Sequence, residues 1–121
     1  MKIEKIVERQ RKFFSTYRTK ELRFRLEALN RLEMSIKEHE EDINAALKKD
    51  LNKSAFESYM TEVGMTLAEL SYVKKNLPFW NMKNWKLSPL AQFHADSFTV
   101  SEPYGVVLVM SPWNYPFMLC M

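Results

Sequence analysis

An α+β fold is predicted by three observations. Up to about Pro78 the chain is densely charged and places apolar residues at helical spacing. Beyond Pro78 it becomes aromatic and sparsely charged, with short alternating stretches. Near the end, Val106, Val107, Leu108, Val109 and Met110 form an unbroken apolar run, the pattern of a central strand buried on both faces of a parallel sheet. The expected organisation is a helical part over 1–78, a connection and hairpin over 79–103, and a first strand followed by a helix start over 104–121.

The elements follow in order. Ile3, Ile6, Val7, Phe13 and Phe14 fall on one face of a first helix, which Ser15 and Thr16 can end. Thr19 then offers an N-cap to a second helix, whose stripe is Leu22, Leu26, Leu29, Leu32 and Ile36. Ile43, Ala46, Leu47 and Leu51 share the face of a third helix or of a bent continuation of the second. Ser54 and Glu57 have capping-box spacing, so a fourth helix should start there. Its apolar face would hold Phe56, Tyr59, Met60, Val63, Leu67, Leu70 and Val73, and Pro78 should stop it near Leu77. Trp80 and Trp85 lie in an ordered connection, with indoles packed against helices. Phe93, Ala95, Phe98 and Val100 alternate around Ala95-Asp96-Ser97, which predicts a hairpin within 91–102. A lone two-stranded ribbon is marginal in water, so its edges call for another partner, such as a second subunit.

Composition narrows the functional classes. A chain of 121 residues that is 46% hydrophobic and 27% charged is sized for one soluble domain with a modest core. The 18 Lys and Arg against 15 Asp and Glu are interleaved along helices, which describes a solvated surface and no nucleic-acid footprint. Cys120 is the one cysteine, which excludes an intrachain disulfide and a multi-cysteine metal site and makes a reducing, cytoplasmic setting the default. The longest uncharged apolar stretch, from Tyr104 to Met121, is broken by Pro112, Asn114 and Pro116, so no membrane segment is expected. His39 and His94 lack sequence-near partners for a metal or a catalytic dyad. Glu62 and Glu69 share a helix face and read as solvated charge.

After the apolar run comes Ser111-Pro112-Trp113-Asn114-Tyr115-Pro116, in which two prolines fix the backbone around an amide that both donates and accepts hydrogen bonds. Taken with Lys53-Ser-Ala-Phe-Glu-Ser58 and Glu102-Pro-Tyr-Gly-Val-Val-Leu-Val-Met110, this segment resembles the N-terminal part of the aldehyde dehydrogenases. The order and spacing are similar to the class 3-like branch, which includes enzymes of fatty, coniferyl and aromatic aldehydes. The resemblance spans nearly the whole chain.

The resemblance implies oxidation of a small-molecule aldehyde to a carboxylic acid through a cysteine thiohemiacetal, with NAD or NADP as cofactor. Asn114 matches the family's oxyanion donor. Met110, Ser111, Pro112 and Trp113 match positions beside the nicotinamide ribose. The helices would pack onto a Rossmann-like cofactor domain, whose first strand is Val106–Met110, and the 91–102 hairpin would serve a homo-oligomer. In the family the nucleophile and general base lie far downstream, so Cys120, expected in the first turns of a buried helix, is not the nucleophile. The 121 residues alone are therefore expected to be inactive. With glycines only at 64 and 105, no glycine-rich phosphate loop can be built. The other reading open from the sequence is a helical binding or scaffold module without chemistry, its apolar strand docked on a partner.

Overall fold

A computed structural model describes residues 2–121. Helix α1 spans Ile3–Phe14 and ends where Ser15 and Thr16 turn their hydroxyls onto the carbonyls of Lys12 and Phe13. Thr19 does not cap the second helix. Tyr17, at φ 61°, reverses the chain into a 3-10 turn over Arg18–Lys20, and Thr19 lies inside that turn with its hydroxyl buried and unpartnered. Helix α2 runs Leu22–Glu38, and α3 runs Glu40–Leu51. The two join at His39, whose backbone still accepts from Ile43 N–H, so α3 is a bent continuation of α2.

The next rod has three parts: α4 over Ala55–Ser58, a π-helical turn over Tyr59–Val63, and α5 over Gly64–Trp80. Ser54 caps it by accepting from Glu57 N–H at 3.1 Å, although the reciprocal half of the capping box is not formed among the described residues. The π turn alters which side chains face inward. Phe56, Tyr59 and Met60, expected on the buried face, are exposed, Phe56 to 76%, while Ser58, Glu62, Val63, Thr66 and Leu70 are buried. A π turn adds one residue to a helical turn and rotates the positions before it relative to those after it. Gly64 makes this possible: its N–H reaches back to Tyr59 O, and a Cβ at this position would sit 2.7 Å from that same carbonyl oxygen.

Pro78 does not stop the helix at Leu77. Proline removes one hydrogen bond, but the final turn is closed by Asn81 N–H on Leu77 O at 3.0 Å and tied to α2 through Arg25, which donates to the Asn81 side chain. Trp80 packs edge-on against Tyr72, 5.8 Å between ring centres.

The hairpin is also displaced from its predicted position. Strand β1 is Asn84–Lys86 and β2 is Ser97–Thr99, antiparallel with Trp85 opposite Phe98. Residues expected as the first strand instead form the connection, through a 3-10 turn at Leu90–Gln92 and a left-handed His94 at φ 78°. What pairs the strands is the cross-strand Trp85–Phe98 contact at 5.4 Å, with the Lys83 ammonium 4.1 Å from the Phe98 ring centre. The run Val106–Met110 forms no strand pairing and is exposed. A central strand exists only by virtue of neighbours on both edges, and none of the described residues occupies those edges. The two strands beside a helical layer nonetheless make the chain α+β.

The core is small. Ile36, Val63 and Leu70 are its buried centre, with Leu29, Leu32, Ile43, Leu67 and Phe117 packed around them. At its rim Glu33 of α2 accepts from Lys37 at 2.7 Å and from Lys74 of α5. These bonds, Lys37 first and Lys74 second, hold the Glu33 carboxyl at about 2 instead of its ordinary 4.5. The fold thus favours ionised Glu33, a contribution present above the unfolded value and lost as pH falls from 4.5 towards 2.

Two outcomes test this architecture. Helix propensity alone would favour Gly64→Ala by about 1 kcal/mol, but the contact with Tyr59 O reverses the sign, and a loss of about 1–3 kcal/mol is expected in urea unfolding. An unchanged midpoint would show that the carbonyl moves aside. Unfolding midpoints should also decline on acidification through the 4.5 to 2 window, and Glu33→Gln should flatten part of that decline.

Candidate functional site

Lys53 and Glu62 organise the end of the chain. Helix α3 stops because Asn52 adopts a left-handed φ of 56°, with its N–H on Lys48 O at 3.0 Å and its side chain accepting from the Lys48 ammonium at 2.7 Å. The reversal turns Lys53 inward, where it is buried. Glu62, rotated inward by the π turn, is 0% exposed. Lys53 Nζ lies 2.5 Å from Glu62 Oε1, donates to the backbone carbonyl of Asn114 at 2.9 Å, and sits 4.2 Å from the ring centre of Tyr115.

The second oxygen of Glu62 accepts from the backbone N–H of Phe117 at 2.9 Å and of Met118 at 3.0 Å. These donors belong to a hydrogen-bonded turn over 116–120 with helix-like bonding, since Leu119 N–H bonds Tyr115 O at 3.2 Å and Met121 N–H bonds Phe117 O at 3.1 Å. The first N–H groups of a helix have no partner within it. Pro116 has none to satisfy, and Glu62, reaching over from another helix, takes the next two. A carboxylate is also the sign of charge that a helix N-terminus favours. Phe117 adds an apolar anchor on the core around Ile36, Val63 and Leu70.

Asn114 is thereby held by its backbone while its side-chain amide makes no hydrogen bond among the described residues and is exposed. Of the four residues before it, Met110 is 83% and Trp113 is 89% exposed, Pro112 is exposed and Ser111 is half-buried. On their N-terminal side Gly105, at φ +112°, lies over the Phe14 ring, where a Cβ would meet a ring carbon at 3.3 Å. A salt bridge between Lys20 and Glu102 at 2.9 Å ties the same segment to the 3-10 turn over Arg18–Lys20. Cys120 is exposed, contrary to the buried helix expected for it, because nothing among the described residues covers that turn.

His39 contacts Asp42 at 3.3 Å on the surface, and the His94 ring is tilted against that of Phe93, 4.1 Å between ring centres. No cluster of metal-ligating side chains exists among the described residues, and no described helix is long and apolar enough to cross a membrane. The sequence reading missed Lys53 and Glu62 as a pair. The one hint was that Glu62 stands four and eight residues before Thr66 and Leu70, on the face that proves to be buried.

The family model described as "Aldehyde dehydrogenase family" matches residues 1–121. The chain belongs to the aldehyde dehydrogenase family. It is 43% identical over 107 residues to 4,4'-diaponeurosporen-aldehyde dehydrogenase of Staphylococcus aureus, covering 88% of this chain and 23% of that protein. It is 40% identical over 117 residues to the dimeric NADP-preferring aldehyde dehydrogenase of Canis lupus familiaris, covering 96% and 26%. A solved structure described as the substrate-bound state of Staphylococcus aureus AldH superposes with a TM-score of 0.88 at 40% identity, over 98% of this chain and 26% of that one. Family 3 members are also among its relatives. The chain thus spans about a quarter of the length of the aldehyde dehydrogenases it matches.

The buried pair makes a stability prediction. Lys53→Met strands the Glu62 carboxylate and should destabilise by about 3–5 kcal/mol, whereas Lys53→Met combined with Glu62→Leu should recover most of that loss. Urea unfolding of the two variants beside the parent measures it.

Proposed function

We propose that this chain forms part of an NAD(P)-dependent aldehyde dehydrogenase that oxidises a small-molecule aldehyde to a carboxylic acid, and that Asn114 is its oxyanion donor. The observation that carries this reading is the combination of an anchored Asn114 backbone with an unengaged side-chain amide. An oxyanion donor must be fixed before charge develops and must not be occupied by an internal partner. As aldehyde carbon becomes tetrahedral, its oxygen gains negative charge, and the Nδ2–H of Asn114 lowers the energy of that state. The amide is neutral, so it gives up no proton.

Met110, Ser111, Pro112 and Trp113 would line the nicotinamide-ribose side of the cofactor, which supplies a hydride acceptor when bound. Their exposed, unpaired course suits a wall that closes against other residues. The phosphates would have to be held elsewhere, because glycine occurs only at 64 and 105. In this reading residues 1–78 are the helical portion of the cofactor-binding domain, 79–103 carry an oligomerisation ribbon with its exposed Trp85, Leu90 and Phe93, and 104–121 open the cofactor-binding core. Nucleophile and general base come from outside these 121 residues, so the chain by itself does not turn over.

A chimera tests this, with residues 1–121 replacing the matching quarter of the staphylococcal aldehyde dehydrogenase. Asn114→Ala should lower kcat for aldehyde oxidation about a hundred- to a thousandfold. A parent-level kcat in that variant would reject the oxyanion role.

A further inference from the structure

We infer that Lys53 and Glu62 are positioning residues for Asn114: together they fix the backbone from which its amide is aimed. The inference rests on the oxyanion reading above and deepens it.

The geometry separates this role from ordinary helix capping. A cap for the turn at Pro116 requires only an acceptor for the N–H groups of Phe117 and Met118, and Glu62 Oε2 alone provides it. Lys53 does something a cap does not require. Its ammonium reaches past the carboxylate to the carbonyl of Asn114, fixing the peptide plane that joins Asn114 to Tyr115, and its charge also faces the Tyr115 ring. The segment is thus held at residue 114 by a donor and at residues 117 and 118 by an acceptor, and the two are locked to each other at 2.5 Å. None of these bonds uses the Asn114 side chain, which stays available.

Stability alone does not account for the arrangement. A buried ion pair is commonly matched or exceeded in stability by apolar residues of similar volume, and an apolar Phe117 anchor is already present. What an apolar substitute cannot supply is direction. Ammonium and carboxylate bonds orient a carbonyl and two N–H groups, and a donor displaced by about 1 Å can cost about a hundredfold in rate.

The test uses Lys53→Met/Glu62→Leu, which strands no charge and so remains folded. In the 121-residue chain, thermal unfolding and amide hydrogen exchange at Phe117 and Met118 are measured. In the chimera, kcat and KM for aldehyde are measured beside Asn114→Ala. The expected result is a melting temperature near the parent's, amides at 117 and 118 that lose protection, and a kcat about ten- to a hundredfold lower with KM within about threefold. A double variant with parent kcat beside an impaired Asn114→Ala would overturn the positioning role and leave the oxyanion reading standing. Parent kcat in Asn114→Ala would overturn both. A merely stabilising pair predicts recovery of kcat along with the melting temperature.

Discussion

Everything at the functional end of this chain hangs on one buried pair of opposite charges. Lys53 and Glu62 are nine residues apart, yet the groups they hold lie 61 positions from Lys53 and 55 and 56 from Glu62. Charges removed from water are tolerated only when each is paired and its remaining hydrogen-bonding capacity is used. The first condition is met, and most of the capacity in the second is used, the Tyr115 ring also facing the ammonium. The carboxylate accepts from an ammonium and two backbone N–H groups, and the ammonium donates to a carboxylate and a carbonyl. With so few fully buried apolar side chains, the specific register of 114–118 against the helices comes from these directional bonds and from Phe117.

The pair in turn depends on a local irregularity in the helix that carries Glu62. An uninterrupted α-helix from Ala55 would present Phe56, Tyr59 and Met60 beside Val63, a coherent apolar stripe. The π turn leaves Phe56, Tyr59 and Met60 outside and puts Ser58 and Glu62 in the interior beside Val63. On hydrophobic burial alone this is a poor exchange, since a large apolar side chain is worth about 1.5–3 kcal/mol when covered. The exchange becomes reasonable once Glu62 has partners to meet. Gly64 is the residue whose missing side chain permits it, because the Tyr59 carbonyl occupies the space a Cβ would need.

The helices were largely readable in the sequence because their signal is local. Leu22 to Ile36 keep helical spacing, Ser54 announces the fourth helix, and Ser15 ends the first where expected. The misreadings share a physical cause. Thr19 could have capped a helix, but Tyr17 had already reversed the chain. Pro78 looked like a stop, but Arg25 and Asn81 support one more turn. The first strand of the hairpin was misplaced because Asn84–Lys86 is too short to show a period and is fixed by Phe98 across the ribbon. Glu62 read as a solvated charge because the groups that satisfy it lie far along the chain. The placement of Asn114 was suggested by its prolines, but the chemical role proposed for it came from resemblance to a family and from no pattern in the residues themselves.

The structure also divides the labour around Asn114. Its C-terminal side is fully engaged: carbonyl on Lys53, the next turn on Glu62, Phe117 on the core. Its N-terminal side, from Val106 to Trp113, has no strand pairing and, apart from half-buried Ser111, is exposed. A donor that stabilises developing charge has to be rigid before reaction, while the surface beside it has to admit a cofactor and a substrate. In the proposed oxyanion role, gripping the residue from one side and leaving the other open would satisfy both demands. On that reading the helical layer sets where the amide stands, through Lys53, Glu62 and Phe117.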